Sequence, residues 1–285
     1  LKIVSLIPAA TEIICLLGFQ DSLIGISHEC DYPSQVSNFE RLTFSRIPQS
    51  TTSAEIDSLT SQNASQADGL FGLISHRILD LCPDFIFTQS ICDVCAVSQG
   101  ALGEVLKELP RSTKLITLSP ASLQDVLDSL LYVGTQLQSP ERGQQAYEQL
   151  NGRLERLSNA KPANVSKTVV LLEWLDPLFS AGHWNPEIIE YAGAKELIGI
   201  PGEKSRRIHW DELRAADPDH LVVACCGYDS EKTKLDFEDF ERNYPVHELR
   251  CFKNQQVHLL DGNAYFNRPG PRLVDAAELL FELFR

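Results

Sequence analysis

The chain has 285 residues, enough for one large domain or two linked lobes, and its 43% apolar content supplies real cores and excludes intrinsic disorder. A formal net charge of −14 excludes the basic surface that nucleic acid or an anionic membrane face requires. No apolar run approaches the roughly 18–20 residues that span a bilayer, and no phosphate-cradling, nucleophile-elbow, zincin or dinucleotide motif occurs, so binding is expected in place of catalysis.

In chain order, "KIVSLI" is a first strand, "PAA" a turn and "TEIICLLGF" a short helix, with Ile13, Ile14 and Leu17 on one face and Gly18 at its end. "LIGIS" is a second strand leading into "HECDYP". "RILDLCPDFIFTQ" gives a helix end and a buried strand, followed by "SICDVC". "KLITLSP" is a later strand, and "SLQDVLDSLLYVGTQL" a helix capped by Ser122. Next, Ser139 and Pro140 open a helix predicted to run to about Asn159, with Tyr147, Leu150, Leu154 and Leu157 as its apolar stripe.

The second half repeats the plan. "TVVLLEW" is a strand running into the long loop "LDPLFSAGHWNP", "EIIEYAGAKEL" is a helix, and "VHLLDGN" parallels "LITLSP". "DELRAADPDHLVVACCG" parallels "RILDLCPDFIFTQS": in both, a helix meets Pro-Asp and then an apolar strand. The predicted fold is α/β, with two Rossmann-like lobes of mainly parallel sheet joined by a single long helix. The lobes are expected at residues 1–138 and 161–285, with the linking helix at 139–160.

Ligands of open α/β sheets bind beyond the carboxyl ends of the strands. The loops there hold His28, Cys30, Cys92, Trp174, His183, Trp184, Cys225, Tyr265 and Arg268, which are the candidate ligand contacts. Aromatic rings give flat walls, and an arginine suits an acidic ligand group. If the lobes face one another, these loops line a cleft. Cys225 and Cys226 are adjacent, so at most one of them faces it.

Cys92 and Cys95 have metal-like spacing, but a zinc site takes about four ligands, and His28 and Cys30 are the candidates to complete it. The expectation is that the Cys92–Cys95 loop neighbours the "HECDYP" loop. A thioredoxin-like redox pair is weaker, because Asp93 disfavours the Cys92 thiolate. The alternative function is therefore a cytosolic thiolate-metal (zinc or iron) or redox protein on the same scaffold.

"VSLIPAATEIICLLG", "GISHECDYP", "PDFIFTQSICDVCAVS", "LFSAGHWNPEIIEYAGA" and "NRPGPRLVDAAELL" together resemble the class III substrate-binding proteins of ABC importers, and among them the cobalamin-binding branch. The similarity covers nearly the whole chain. It implies two lobes joined by one long helix, a cleft that holds cobalamin or a similar metal chelate, no enzymatic activity and no required cofactor. It also implies an ABC permease as partner, docked through acidic residues, for which Glu187 matches the position in the second half and no Glu falls clearly in place in the first. A monomer with no membrane insertion is expected. The eight cysteines and the lack of a recognisable signal peptide set the expected location as cytoplasmic over periplasmic.

Overall fold

The computed structural model describes residues 1–48, 51–63, 70–89, 99–161 and 167–285. The chain starts with β1 (Ile3–Ser5), α1 (Pro8–Leu16), β2 (Leu23–Ile26) and β3 (Thr43–Ser45). Then come α2 (Ser53–Asn63), β4 (Phe71–Leu73), α3 (Ser75–Leu81), β5 (Phe85–Gln89), α4 (Gln99–Glu108) and β6 (Lys114–Leu118). Helices α5 (Leu123–Gln136) and α6 (Pro140–Ala160) occupy the middle. After them follow β7 (Thr168–Leu175), β8 (Leu178–Ser180), α7 (Asn185–Tyr191), β9 (Lys195–Glu196) and α8 (Trp210–Ala216). The chain closes with β10 (His220–Val223), α9 (Ser230–Asn243), α10 (Arg250–Lys253), β11 (Val257–Leu259), α11 (Gly262–Tyr265) and α12 (Leu273–Leu283).

The chain divides into two units. One comprises Leu1–Pro120 and Ser129–Ala146, the other Ala121–Asp128 and Tyr147–Arg285. The division thus passes through the interior of both α5 and α6.

In the first unit the sheet runs β2-β1-β5-β6 with every pairing parallel. Ile3, Val4, Ile86 and Phe87 are wholly buried, as central parallel strands covered on both faces require. An antiparallel ribbon of β3 and β4 stands apart from this sheet, pairing Thr43 with Leu73 and Ser45 with Phe71. Within this unit the C-terminal part of α5 meets the start of α6 at Gly134 and Gly143. A Cβ on Gly143 would lie 2.7 Å from the Leu130 carbonyl oxygen, so only glycine allows this approach.

In the second unit the order is β11-β10-β7-β8, with β9 pairing β7. The β7–β10, β10–β11 and β7–β9 pairs are parallel, and β8 folds back antiparallel on β7. Val169 to Leu172 and Leu221 to Val223 are fully buried, which explains their uninterrupted apolar runs. Leu150, Leu154 and Leu157 of α6 are buried in the stripe their spacing predicts. Arg153, between them, donates from Nε to Glu278 of α12 at 2.9 Å and from Nη2 to Asp275 at 2.5 Å.

The Pro-Asp repeat read from the sequence has a common geometry. Helix α3 ends in left-handed Cys82 (φ +47°) before Pro83, and α8 ends in left-handed Asp217 (φ +38°) before Pro218. The aspartate that follows accepts a backbone N–H at or just before the neighbouring strand's start: Lys2 to Asp84 at 2.8 Å, and Thr168 to Asp219 at 2.9 Å. Each unit thus ties a helix end, a proline and the mouth of its central strand together in the same way.

Candidate functional site

The first unit's candidate loop leaves the carboxyl end of β2. The Ser27 N–H donates to the Ser5 carbonyl at the end of β1 (2.8 Å), and the Cys30 N–H closes a turn onto the Ser27 carbonyl (3.1 Å). Arg41 clamps the turn from outside, its guanidinium donating to the carbonyls of Ser27 (3.0 Å) and Cys30. Beneath the loop runs a chain of hydroxyls. Thr11 donates to Ser5 Oγ (2.8 Å) and stands 3.0 Å from the buried Cys30 Sγ. On the other side, Thr43 Oγ1 receives the His28 N–H at 2.9 Å and lies 2.6 Å from His28 Nδ1. The partly exposed His28 ring packs on Phe71 of β4, with centroids 5.2 Å apart. The β3–β4 ribbon therefore supplies both partners that hold His28.

The second unit's site grows from the end of β7. Glu173 follows four fully buried residues, and its Oε1 accepts the Gly182 N–H and the Asn185 amide, both at 2.8 Å. Burial pushes its pKa up, against the lowering effect of those donors and of Ser205. Glu173 thereby fastens the loop that carries His183. His183 has a left-handed backbone (φ +52°), exchanges backbone hydrogen bonds with Gly202 and Glu203, and keeps part of its ring exposed. Burial and, secondarily, Lys204 push its pKa down, which favours the neutral ring.

Half-buried Trp174 donates from Nε1 to the Asp176 carbonyl (3.0 Å) and packs at 5.0 Å on Tyr228. Tyr228 is buried and carries Lys232 Nζ 4.0 Å from its ring centroid. Tyr265, also half-buried, ends α11, with the Arg272 guanidinium 6.0 Å from its ring. Gly262 lets the loops after β10 and β11 touch, since a Cβ there would lie 2.1 Å from the Cys225 carbonyl oxygen.

Three expected contacts take other roles. Trp184 is 5% exposed and donates its indole N–H to the Phe266 carbonyl at 2.7 Å, so its ring fills the core and walls no site. Cys225 is fully buried and it is Cys226 that is exposed, because adjacent side chains at a strand end point to opposite faces. Arg268 is buried and donates to Asn263 Oδ1 at 3.0 Å, bracing the turn after α11.

Cys92 and Cys95 lie outside the described residues, as does their expected approach to Cys30. Among the described residues no three His, Cys, Asp or Glu side chains are gathered as a metal ion would need. Glu187 is half-buried on α7, and its Oε2 accepts the Leu123 N–H at the start of α5 (2.6 Å). Burial, Asp125 and Glu190 raise its pKa against that hydrogen bond. Thr43, Glu173 and Lys232 were not among the sequence candidates. Only Glu173 has a sequence signal, a lone charge closing an apolar strand.

Comparison with known proteins places this geometry. A family model described as periplasmic binding protein matches residues 3–264. The vitamin B12-binding protein of Vibrio cholerae is 24% identical over 283 residues, covering 97% of this chain and 86% of that one. The solved periplasmic vitamin B12-binding protein of Vibrio cholerae superposes with a TM-score of 0.68 at 20% identity, over 99% of this chain and 95% of the other. The periplasmic heme-binding protein RhuT of Roseiflexus sp. RS-1 gives 0.74 at 20% identity, over 99% and 97%.

These findings overturn the expected cytoplasmic location, since the matching family and both solved structures are of periplasmic proteins. The cysteine argument for a reducing compartment fails for a physical reason. Burial pushes Cys15 and Cys251 up to about 11 and Cys225 higher still, and a protonated, covered thiol resists oxidation wherever it resides.

Proposed function

This chain belongs to the periplasmic binding protein family, and on that premise we propose that it is a substrate-binding protein for cobalamin or a similar metal chelate, serving an ABC importer. The observation that carries the proposal is the near full-length match to vitamin B12-binding proteins, 97% of this chain in one case. The strand-end loops support it. Half-exposed Trp174 and Tyr265 offer flat apolar faces, and His28 and His183 stand in the same two sets of loops. Such a combination suits a large planar ring system with polar substituents.

No step of chemistry is assigned to the protein. The side chains in these loops are spent on holding the loops, as Glu173 does for His183, and binding alone is the proposed activity. The proposed partner is a permease, with Glu187 as the proposed docking carboxylate. No helix among the described residues is long and apolar enough to cross a membrane.

Titration of tryptophan fluorescence with cyanocobalamin, and separately with hemin, tests the proposal. Saturable quenching by either chelate is expected, with Trp174→Ala and His183→Ala each weakening it roughly tenfold, the scale of one aromatic or polar contact. Unsaturable quenching by both chelates, unaffected by these substitutions, would remove the assignment.

A further inference from the structure

We infer that Thr43 fixes His28 as an Nε2–H hydrogen-bond donor, so that His28 reads acceptor oxygens on the periphery of the ligand and does not coordinate its metal. The inference rests on the chelate-binding function proposed above and names how the first unit recognises that ligand.

Hydrogen-bond bookkeeping carries it. The Thr43 hydroxyl has one proton and two lone pairs. It receives the His28 backbone N–H at 2.9 Å, stands 3.0 Å from Ser27 Oγ and 2.6 Å from His28 Nδ1. Ser27 Oγ in turn receives the Glu29 N–H at 3.3 Å. On the outer side of the ring, His28 Nε2 faces Glu29 Oε1 at 3.1 Å.

A neutral imidazole can be arranged here in two ways. In one, Nδ1 carries the proton and donates to Thr43, which passes its own proton to Ser27. Nε2 then points a bare lone pair at a carboxylate oxygen 3.1 Å away, two acceptors with no proton between them. In the other, Ser27 donates to Thr43, Thr43 donates to Nδ1, and Nε2–H faces the Glu29 carboxylate. Every close pair then has one donor and one acceptor, and the second arrangement is favoured.

The surroundings hold the ring in this pose. Phe71 packs on it, and Arg41 clamps the carbonyls of Ser27 and Cys30 on either side of His28. A histidine binds metal through a nitrogen lone pair. In this arrangement one lone pair is taken by Thr43 and the other nitrogen bears a proton. What His28 offers is an N–H, and its complement is an amide, carboxylate or phosphate oxygen that takes over from Glu29, whose side chain is 41% exposed. His28 accordingly leaves the metal-ligand set expected from sequence, and Thr43 becomes a positioning residue.

Nitrogen-15 NMR of the ligand-free protein at a pH of about 8, above the ordinary histidine range, reads the tautomer directly through two-bond proton–nitrogen correlations. The Nε2–H pattern is expected for His28. It should be retained in Thr43→Ser, which keeps the hydroxyl, and lost to a mixture in Thr43→Val. With cyanocobalamin as the probe, Thr43→Val should weaken binding roughly tenfold and Thr43→Ser by less than about twofold. An Nδ1–H pattern in the free protein would overturn the inference. So would a Thr43→Val variant with unchanged tautomer and unchanged affinity. Failure of cyanocobalamin to bind at all, with the Nε2–H pattern and its dependence on Thr43 present, would count against the proposed function and leave the orientation of His28 by Thr43 supported.

Discussion

Residue identities in this chain set two opposing pH responses and two classes of thiol. Burial pushes Glu196 up to about 7, although its carboxylate accepts the N–H groups of Leu171, Ile198 and Gly199 at 3.0 to 3.1 Å. Between about 4.5 and 7 the folded protein holds a proton that the unfolded chain has released, so stability falls as pH rises through that window. The effect is on the order of 3 kcal/mol at most, and urea unfolding of Glu196→Gln at both ends of the window should show it removed. His220 behaves in the opposite sense. Burial, then His258 and Lys167, push it down to about 4, with its Nδ1 3.1 Å from His258 Nε2. Stability is therefore lost as pH falls from the ordinary histidine value towards 4. For the thiols, exposed Cys82 and Cys226 should react with a disulfide reagent far faster than Cys15, Cys225 and Cys251, and mass mapping of early adducts checks the order. At this scale the sequence was least informative. It marked Trp184 and Cys225 as site residues because both stand in strand-end loops. Which way a loop side chain turns depends on partners distant in sequence, here Phe266 for Trp184.

Elements were far more legible, because periodicity and capping are local. The α6 helix starts at the proline that marks it and runs Pro140–Ala160. The N-terminus of α5 is closed reciprocally, the Asp125 N–H donating to Ser122 Oγ (3.1 Å) and the Ser122 N–H to Asp125 Oδ2 (2.9 Å). What could not be read is the β3–β4 ribbon, whose strands are three residues each and pair across the intervening α2. No local pattern announces so short a strand, yet this ribbon supplies Thr43 and Phe71 to His28. Two predictions belong here. Asp219→Ala should cost more than Asp84→Ala, about 2 kcal/mol against about 1. Asp219 accepts both the N–H and the hydroxyl of Thr168 and pairs with Arg250 at 3.0 Å, while Asp84 accepts the Lys2 N–H alone among the printed bonds of its carboxylate. Gly143→Ala should destabilise the first unit by about 1–3 kcal/mol despite the better helix propensity of alanine, because the added methyl meets the Leu130 carbonyl.

At the scale of the molecule, the repeated helix–Pro-Asp–strand theme and the alternation of strands with helices predicted two units of mainly parallel sheet, and both units have that architecture. The acidic balance of −14 fits a protein that meets neither nucleic acid nor an anionic membrane face. The compartment was misjudged, because thiol count is a poor guide once burial protects most of the thiols. Equilibrium dialysis of the purified protein against cyanocobalamin and, in parallel, hemin tests the central claim most directly. Retention of one equivalent of a chelate per chain, displaced by excess of the same chelate and diminished in Trp174→Ala, is the predicted result. Retention of neither chelate by protein that unfolds cooperatively, and is therefore intact, would contradict it.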